Sequence, residues 1–170
     1  TELYHLLFNP YRRRKINFLE MGLLVGGPEH GMDQNRKTSD LPSIRMWLDY
    51  FSRAQIHGLD ISDFGWFEHD RFSFHRCDLN DRASIERTAV EMPSLNIIID
   101  DASHASHHQQ NAFLEFFPKL AKGGIYVIED LRWQPDTYEE KDTTKTAALL
   151  RSFIDRRKFS HIDSVKADAF

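Results

Sequence analysis

The stretch IIIDDASHASHHQQ (97–110) sets two adjacent carboxylates, Asp100 and Asp101, directly behind three isoleucines, and follows them with His104, His107 and His108. A second carboxylate pair, Glu129 and Asp130, closes the stretch GIYVIEDL (124–131). Both apolar runs read as strands. Neighbouring strands lie about 4.8 Å apart, so adjacency of these two would gather up to four carboxylates at one sheet edge. Side chains alternate between faces along a strand, so the four converge only where the strands have already ended. Carboxylates crowded in this way repel and raise one another's pKa. A divalent cation removes that cost, and oxygen ligands favour Mg²⁺, Ca²⁺ or Mn²⁺ over zinc. His104, three residues past Asp101, has an ordinary pKa of about 6.5 and suits proton abstraction near neutral pH. Helix capping is the competing role for Asp101 and Ser103. Two acidic pairs together with histidines favour the metal. His107 and His108 open the next helix, one expected to face the site or hold the loop and the other to be solvated.

The elements that would position these groups alternate along the chain. KINFLEMG (15–22) reads as a short buried strand ending in a glycine turn. DLPSIRMWLDYFS (40–52) reads as a helix with Asp40 as N-cap, Pro42 in the first turn, and Ile44, Trp47, Leu48 and Phe51 on one face. AQIHGLDI (54–61) and FSFHRCDL (72–79) read as the second and third strands. DRASIERTAVEM (81–92) is a helix capped by Asp81. LNIIIDD (95–101) is the fourth strand, its unbroken apolar run suited to a parallel strand covered on both faces. HQQNAFLEFFPKL (108–120) is a helix ended near Pro118, GIYVIEDL the fifth strand, and TTKTAALLRSFIDRRK (143–158) a final amphipathic helix. Strand–helix alternation with short connections predicts an α/β fold: a doubly wound, mostly parallel sheet with helices on both faces. Ligands in such sheets bind beyond the carboxyl ends of the strands, near the reversal of strand order.

The other strand ends carry candidate ligand groups. The first strand ends in Glu20, Gly22, Gly26 and Gly27, where glycines permit a tight turn and close approach of a ligand. GLLVGG lacks the early second glycine of the dinucleotide fingerprint, so a turn without a ligand is an equal alternative. The second strand ends in Asp60, a position that commonly takes ribose hydroxyls in doubly wound folds. The polar stretch GPEHGMDQNRKTSD (27–40) delays it, and a loop of that length suits a lid or binding loop, or a surface insertion. The third strand ends in Cys77, a buried filler, and Asp78, which suits either an exocyclic amine such as that of adenine or the cap of the next turn. Phe64, Trp66 and Phe67 offer an apolar wall for a ligand, with plain packing the stronger expectation.

The bulk properties bound the function. The chain has 170 residues, 41% hydrophobic and 28% charged, with a formal net charge of −4. That size suits a single domain over 1–170 with a full core. No apolar run approaches the roughly 20 residues that span a bilayer. No charged-then-apolar leader opens the chain, so no secretory signal and no membrane partner are expected. One cysteine forbids an internal disulfide and fits a reducing, cytoplasmic compartment. The acidic balance argues against a nucleic-acid partner; RRRK (12–15) reads as a solvated stretch before a strand.

Four stretches, FLEMGLLVGG, SIRMWLDYFSRAQIHGLDIS, IIIDDASHASHHQ and GGIYVIEDL, together resemble the S-adenosylmethionine-dependent class I methyltransferases. More narrowly, they resemble the metal-dependent sugar O-methyltransferases of macrolide biosynthesis, the macrocin and mycinamicin type. The likeness runs from Ile16 to Leu131, and the last two stretches are the specific ones. The resemblance implies S-adenosylmethionine and Mg²⁺ (or Mn²⁺) as cofactors. It implies that Glu20 and Gly22, with Gly26 beyond them, shape the methionine side of the cofactor pocket, that Asp60 holds the ribose hydroxyls, and that Asp78 meets the adenine amine. It implies Asp101, Glu129 and Asp130 as metal ligands and His104 as general base, with Asp100 either nearer the cofactor's methionine or orienting the loop. A small-molecule hydroxyl acceptor, glycosylated, and a homo-oligomeric assembly are implied as partners. Two departures stand out. The family usually has glycine where this chain has Ala102, and a methyl there is expected to constrain the turn that aims His104. A full fold of this class adds an antiparallel strand pair after the fifth helix, for which only FSHIDSV (159–165) is a candidate, so the C-terminal strands are expected to be missing or reduced.

Three other functions compete. The same cofactor, metal and base would serve a phenolic or lipid-linked hydroxyl. A non-catalytic binding protein of the same fold draws support from Ala102 and the short C-terminus, but has little use for Asp101, His104, Glu129 and Asp130 together. A nicotinamide oxidoreductase is the weakest, because the glycine spacing is wrong and no Tyr–Lys pair for hydride chemistry stands out.

Overall fold

The computed structural model describes residues 2–24 and 38–156. Gly26, most of the long polar stretch after it, and the candidate strand 159–165 lie outside the described residues. The chain enters through helix α1 (Glu2–Phe8) and a 3₁₀ turn (Asn9–Tyr11). It continues through β1 (Asn17–Met21), α2 (Pro42–Tyr50), β2 (Gln55–Asp60), β3 (Phe72–Arg76), α3 (Arg82–Glu91) and β4 (Leu95–Asp100). Then come α4 (Ser106–Phe116), a 3₁₀ turn (Phe117–Lys119), β5 (Leu120–Ile128) and α5 (Thr146–Arg156). The five strands form one parallel sheet in the order β3-β2-β1-β4-β5. The order reverses between β1 and β4, the position where a ligand crevice opens in sheets of this kind.

Alternation along the strands builds two cores. Phe18, Ile56, Ile97 and Ile99 point to one face and pack with Phe8 of α1 and Ile44, Trp47 and Leu48 of α2. Leu19, Met21, Leu59 and Ile98 point to the other and pack with Ile85 and Ala89 of α3 and Ala112 and Phe116 of α4. The isoleucine run of β4 therefore feeds both cores, as its unbroken apolar character predicts. No helix among the described residues is long and apolar enough to cross a membrane.

Three local expectations need correction. Asp40 is not the N-cap of α2: Leu41 holds that position, and Asp40 accepts the Leu41 N–H and pairs with Arg45 instead. Plain packing was the stronger expectation for the aromatics of the β2–β3 connection and holds for Phe64 and Phe67, which are buried in the core. α4 begins two residues before the expected start, and β5 begins at Leu120 rather than Gly124, with an irregularity opposite Leu95–Ile97. Helix α1 was not anticipated.

Asp81 does cap α3, accepting the Ala83 N–H at 3.0 Å. Asp81→Ala is expected to lower stability by about 1 kcal/mol, the usual worth of such a cap. Urea unfolding measures it, and an unchanged midpoint would show that solvent satisfies the helix end equally well.

Candidate functional site

The parallel ladder continues one residue past each strand and so fixes where the loops depart. Gly22 N–H donates to Leu59 O, Asp101 N–H to Met21 O, Glu129 N–H to Asp100 O, and Cys77 N–H to Asp60 O, all at 2.9–3.0 Å. The loops leave the sheet side by side around a cavity of about 880 Å³, within the ordinary range for small-molecule sites of about 300–1,000 Å³. Glu20, Gly22, Asp60, Asp78, Asp101, His104, Glu129 and Asp130 all line it. The expected residues thus come together, except Gly26, which is not described, and Asp100, which does not line the cavity.

The two adjacent aspartates part company because β4 ends between them. Asp100 is the last strand residue and is 1% exposed, with Oδ1 accepting the Ala102 N–H at 3.4 Å and Oδ2 finding no hydrogen-bond donor among the described residues. Burial pushes its carboxyl up to about 7. Of the two roles implied for it, orienting the loop agrees with the Ala102 contact. Asp101, past the strand end, faces the cavity. Its carboxyl is also pushed up to about 7, first by burial and then by the neighbouring charges of Glu129, Asp130 and Asp100. This is the crowding expected of acidic pairs on adjacent strands.

Asp101, His104 and Asp130 each offer one ligand atom, and these atoms lie within 4.8 Å of one another. His104 Nε2 stands 4.0 Å from Asp101 Oδ1 and 3.8 Å from Asp130 Oδ2. Among the described residues, His104 and Asp130 are the non-glycine residues with positive φ, at 61° and 49°. Each costs roughly 1–3 kcal/mol of backbone strain, the kind stored where a side chain must be aimed. Ala102, by contrast, is not in the left-handed region; its methyl packs against the core under α3 and α4, and the unusual turn falls on His104 itself. Helix capping does not account for Asp101. The α4 N-cap is Ala105, with no side-chain cap; Ser103 Oγ accepts the Ala105 N–H at 3.4 Å, and Glu139 takes the Ser106 N–H at 2.7 Å.

The remaining carboxylates are held firmly. Asp60 is buried and accepts the Leu23 and Ser62 N–H groups, each at 2.8 Å. Asp78 accepts the Asn80 N–H at 2.9 Å. Glu20 is 4% exposed; its Oε1 accepts from the Trp47 indole at 2.9 Å and its Oε2 from Ser43 Oγ at 2.8 Å. Burial raises the Glu20 carboxyl to about 7 against the pull of those two donors. Glu129 accepts from the Tyr4 hydroxyl, and burial together with that bond drives the Tyr4 pKa far upward.

Several contributors were not anticipated. Ser43 and Trp47 lie four residues apart on one face of α2, so their common reach toward Glu20 was available from helical spacing. Tyr4 gives no such signal. Trp133 lines the cavity with its ring 5.4 Å from that of His104. His107 and His108 both line it as well, with His108 Nδ1 2.6 Å from Ser103 Oγ, so His108 holds the loop and His107 is not the solvated residue expected. Burial and then His107 lower the His108 pKa to about 4.

No protein-family model matches the chain. Over 175 aligned residues it is 35% identical to mycinamicin VI 2''-O-methyltransferase of Micromonospora griseorubida, covering 96% of this chain and 41% of that protein. It is 34% identical to 8-demethyl-8-alpha-L-rhamnosyl tetracenomycin-C 2'-O-methyltransferase of Streptomyces olivaceus, covering 91% of this chain and 40% of that protein. Among solved structures it is similar to the MycE methyltransferase from the mycinamycin biosynthetic pathway in complex with Mg and SAH. The TM-score is 0.75 at 34% identity, with 91% of this chain and 40% of that one covered. The chain spans about two fifths of the length of the curated relatives it matches. Those relatives are sugar O-methyltransferases of the mycinamicin and macrocin type, and the chain is similar to them over nine-tenths of its own length.

Proposed function

We propose that this chain forms the cofactor- and metal-binding part of an S-adenosylmethionine-dependent, divalent-metal-assisted O-methyltransferase whose acceptor is a hydroxyl of a sugar or glycosylated small molecule. The observation that carries it is the Asp101–His104–Asp130 cluster, which opens into the same cavity as Glu20, Asp60 and Asp78. A carboxylate-rich donor set suits Mg²⁺ or Mn²⁺, and the upward push on Asp101 from its acidic neighbours is what a divalent cation would relieve. The MycE structures contain Mg and SAH, one of them with mycinamycin VI as well.

Bound S-adenosylmethionine would supply an electrophilic sulfonium methyl, and bound Mg²⁺ the charge that lowers the acceptor hydroxyl's pKa. The protein supplies the rest. Asp60, locked by two backbone donors, would present a fixed carboxylate to the ribose hydroxyls, and Asp78 would meet the adenine amine. Glu20, with Gly22, would bound the methionine end. Asp101 and Asp130, joined by Glu129, would hold the metal. His104 would take the acceptor proton at Nε2 as the new O–CH₃ bond forms and the S–CH₃ bond breaks in line. The buried Cys77 fits the reducing, cytoplasmic setting of such an enzyme.

Calorimetric titration with S-adenosylhomocysteine, with and without Mg²⁺, tests this. Micromolar binding is expected. Asp101→Asn is expected to weaken Mg²⁺ binding by about tenfold or more, in line with the loss of a ligating carboxylate, and to spare cofactor affinity. Absence of product binding in both conditions would overturn the proposal, and unchanged Mg²⁺ affinity in the variant would remove Asp101 from the ligand set.

A further inference from the structure

Two of the cavity's carboxylates, Glu20 and Glu129, are gripped from behind by one aromatic cluster. The Trp47 indole N–H donates to Glu20 and the Tyr4 hydroxyl to Glu129. The Tyr4 ring lies edge-on to Trp47 at 5.7 Å and stacks on Phe8 at 5.1 Å. Tyr4 is half-buried and is not part of the cavity wall, whereas Glu129 is. The hydroxyl therefore holds a carboxylate of the cavity wall from a residue that is not itself part of that wall.

Glu129 needs such a hold. Asp101 and Glu20 line the same cavity within its Coulombic reach, and like charges push a flexible glutamate away from the position where its ligand oxygen is useful. A phenol that donates to one carboxylate oxygen fixes the side chain's torsions and leaves the other oxygen to be presented. Metal ligands are commonly oriented by partners of this kind.

We propose that Tyr4 is a positioning residue for the metal site: it acts through Glu129, and the docking of α1, by Tyr4 and Phe8, on Trp47 is what delivers it. This rests on the functional reading above. Tyr4 touches neither metal nor cofactor. Its effect belongs in metal affinity, not in cofactor affinity or fold stability.

The test uses the full chain with S-adenosylhomocysteine bound, and Mn²⁺ as the probe, read by electron paramagnetic resonance of free and bound ion. Tyr4→Phe keeps the ring packing and removes only the hydroxyl. It is expected to weaken Mn²⁺ binding about tenfold, with melting temperature and S-adenosylhomocysteine affinity close to the parent's. Tyr11→Phe is the control: it removes a hydroxyl of the same N-terminal segment that donates to Gly123 O at 2.6 Å. It is expected to leave Mn²⁺ affinity unchanged. In a Glu129→Gln background, Tyr4→Phe is expected to add nothing. Mn²⁺ affinity within about twofold of the parent in Tyr4→Phe would overturn the assignment, and so would an equal loss in Tyr11→Phe or an undiminished effect without the Glu129 carboxylate. A parent chain that binds S-adenosylhomocysteine but no Mn²⁺ would overturn it together with the metal half of the functional reading. A chain that binds neither would overturn the whole reading.

Discussion

His104→Asn is expected to lower kcat for methyl transfer to a glycosylated acceptor by about 10²–10⁴-fold, the usual contribution of a positioned general base. Affinity for S-adenosylhomocysteine is expected to stay within about threefold of the parent, because uniform cofactor binding does not pass through a base that acts only in the transition state. Asparagine is the informative replacement. His104 sits at φ 61°, a left-handed conformation that asparagine tolerates and alanine resists. His104→Ala would therefore mix loss of the base with a refolded turn, and is expected to show the same loss of turnover with an added loss of stability of about 1 kcal/mol. The geometry that motivates the experiment is the placement of Nε2 between Asp101 and Asp130, 4.0 and 3.8 Å away, with Trp133 closing one side. Single-turnover methylation of a panel of macrolide and rhamnosyl acceptors, paired with product calorimetry, separates the outcomes. Retained turnover would place the base elsewhere. A tenfold loss of cofactor-product affinity in His104→Asn would make the residue structural.

What the sequence disclosed and what it hid follow from the range of the forces concerned. The five strands were legible because β-branched runs such as Ile97, Ile98 and Ile99 need two covered faces. Their order placed Asp101 and Asp130 on neighbouring loops, as adjacency of the strands required. Asp81 was legible because a cap acts over two residues. Asp40 had the same look and a different fate: Pro42 at the helix start moves the cap to Leu41, and the aspartate turns to Arg45. The separation of Asp100 from Asp101 was implicit in strand alternation but hinged on which residue ended the strand: Asp100 is the last of β4 and is buried, and Asp101 lines the cavity. Tyr4 was beyond reach. Helix α1 has only seven residues and owes its place to the contacts of its Tyr4 and Phe8 with Trp47 and Phe51, and the Tyr4 hydroxyl meets a carboxylate 125 positions away. Two cavity carboxylates with raised pKa, the buried Glu20 and the partly exposed Asp101, lie within Coulombic influence of each other, which no local pattern predicts.

Gly22→Ala is expected to cost about 3 kcal/mol of stability, from two sources that act together. The sequence left a tight turn and room for a ligand as equal alternatives for this glycine, and the structure shows the turn together with a close backbone approach. Its φ is +83°, and a Cβ there would lie 2.3 Å from Asp101 O and 2.5 Å from Ala102 Cα. Both neighbours are backbone, so no side-chain rotation relieves the contact. The loop after β4 has to move, and with it the residues that carry Asp101 and His104. Gly123→Ala separates the two sources. Gly123 has a similar φ of +75° but nothing within 4 Å of its would-be Cβ, so it keeps the conformational penalty without the clash and is expected to lose only about 1 kcal/mol. Urea unfolding of both variants gives the difference, which is the steric part. Cofactor-product affinity, measured where each variant is still folded, is expected to fall at least tenfold in Gly22→Ala and not at all in Gly123→Ala. Equal losses of stability in the two would mean that the β1 and β4 loops do not touch as described. A Gly22→Ala variant that is destabilised but binds S-adenosylhomocysteine normally would show that the close approach serves packing alone. A joint loss would show that one glycine sets both the seam between the two central strands and the shape of the cavity above it.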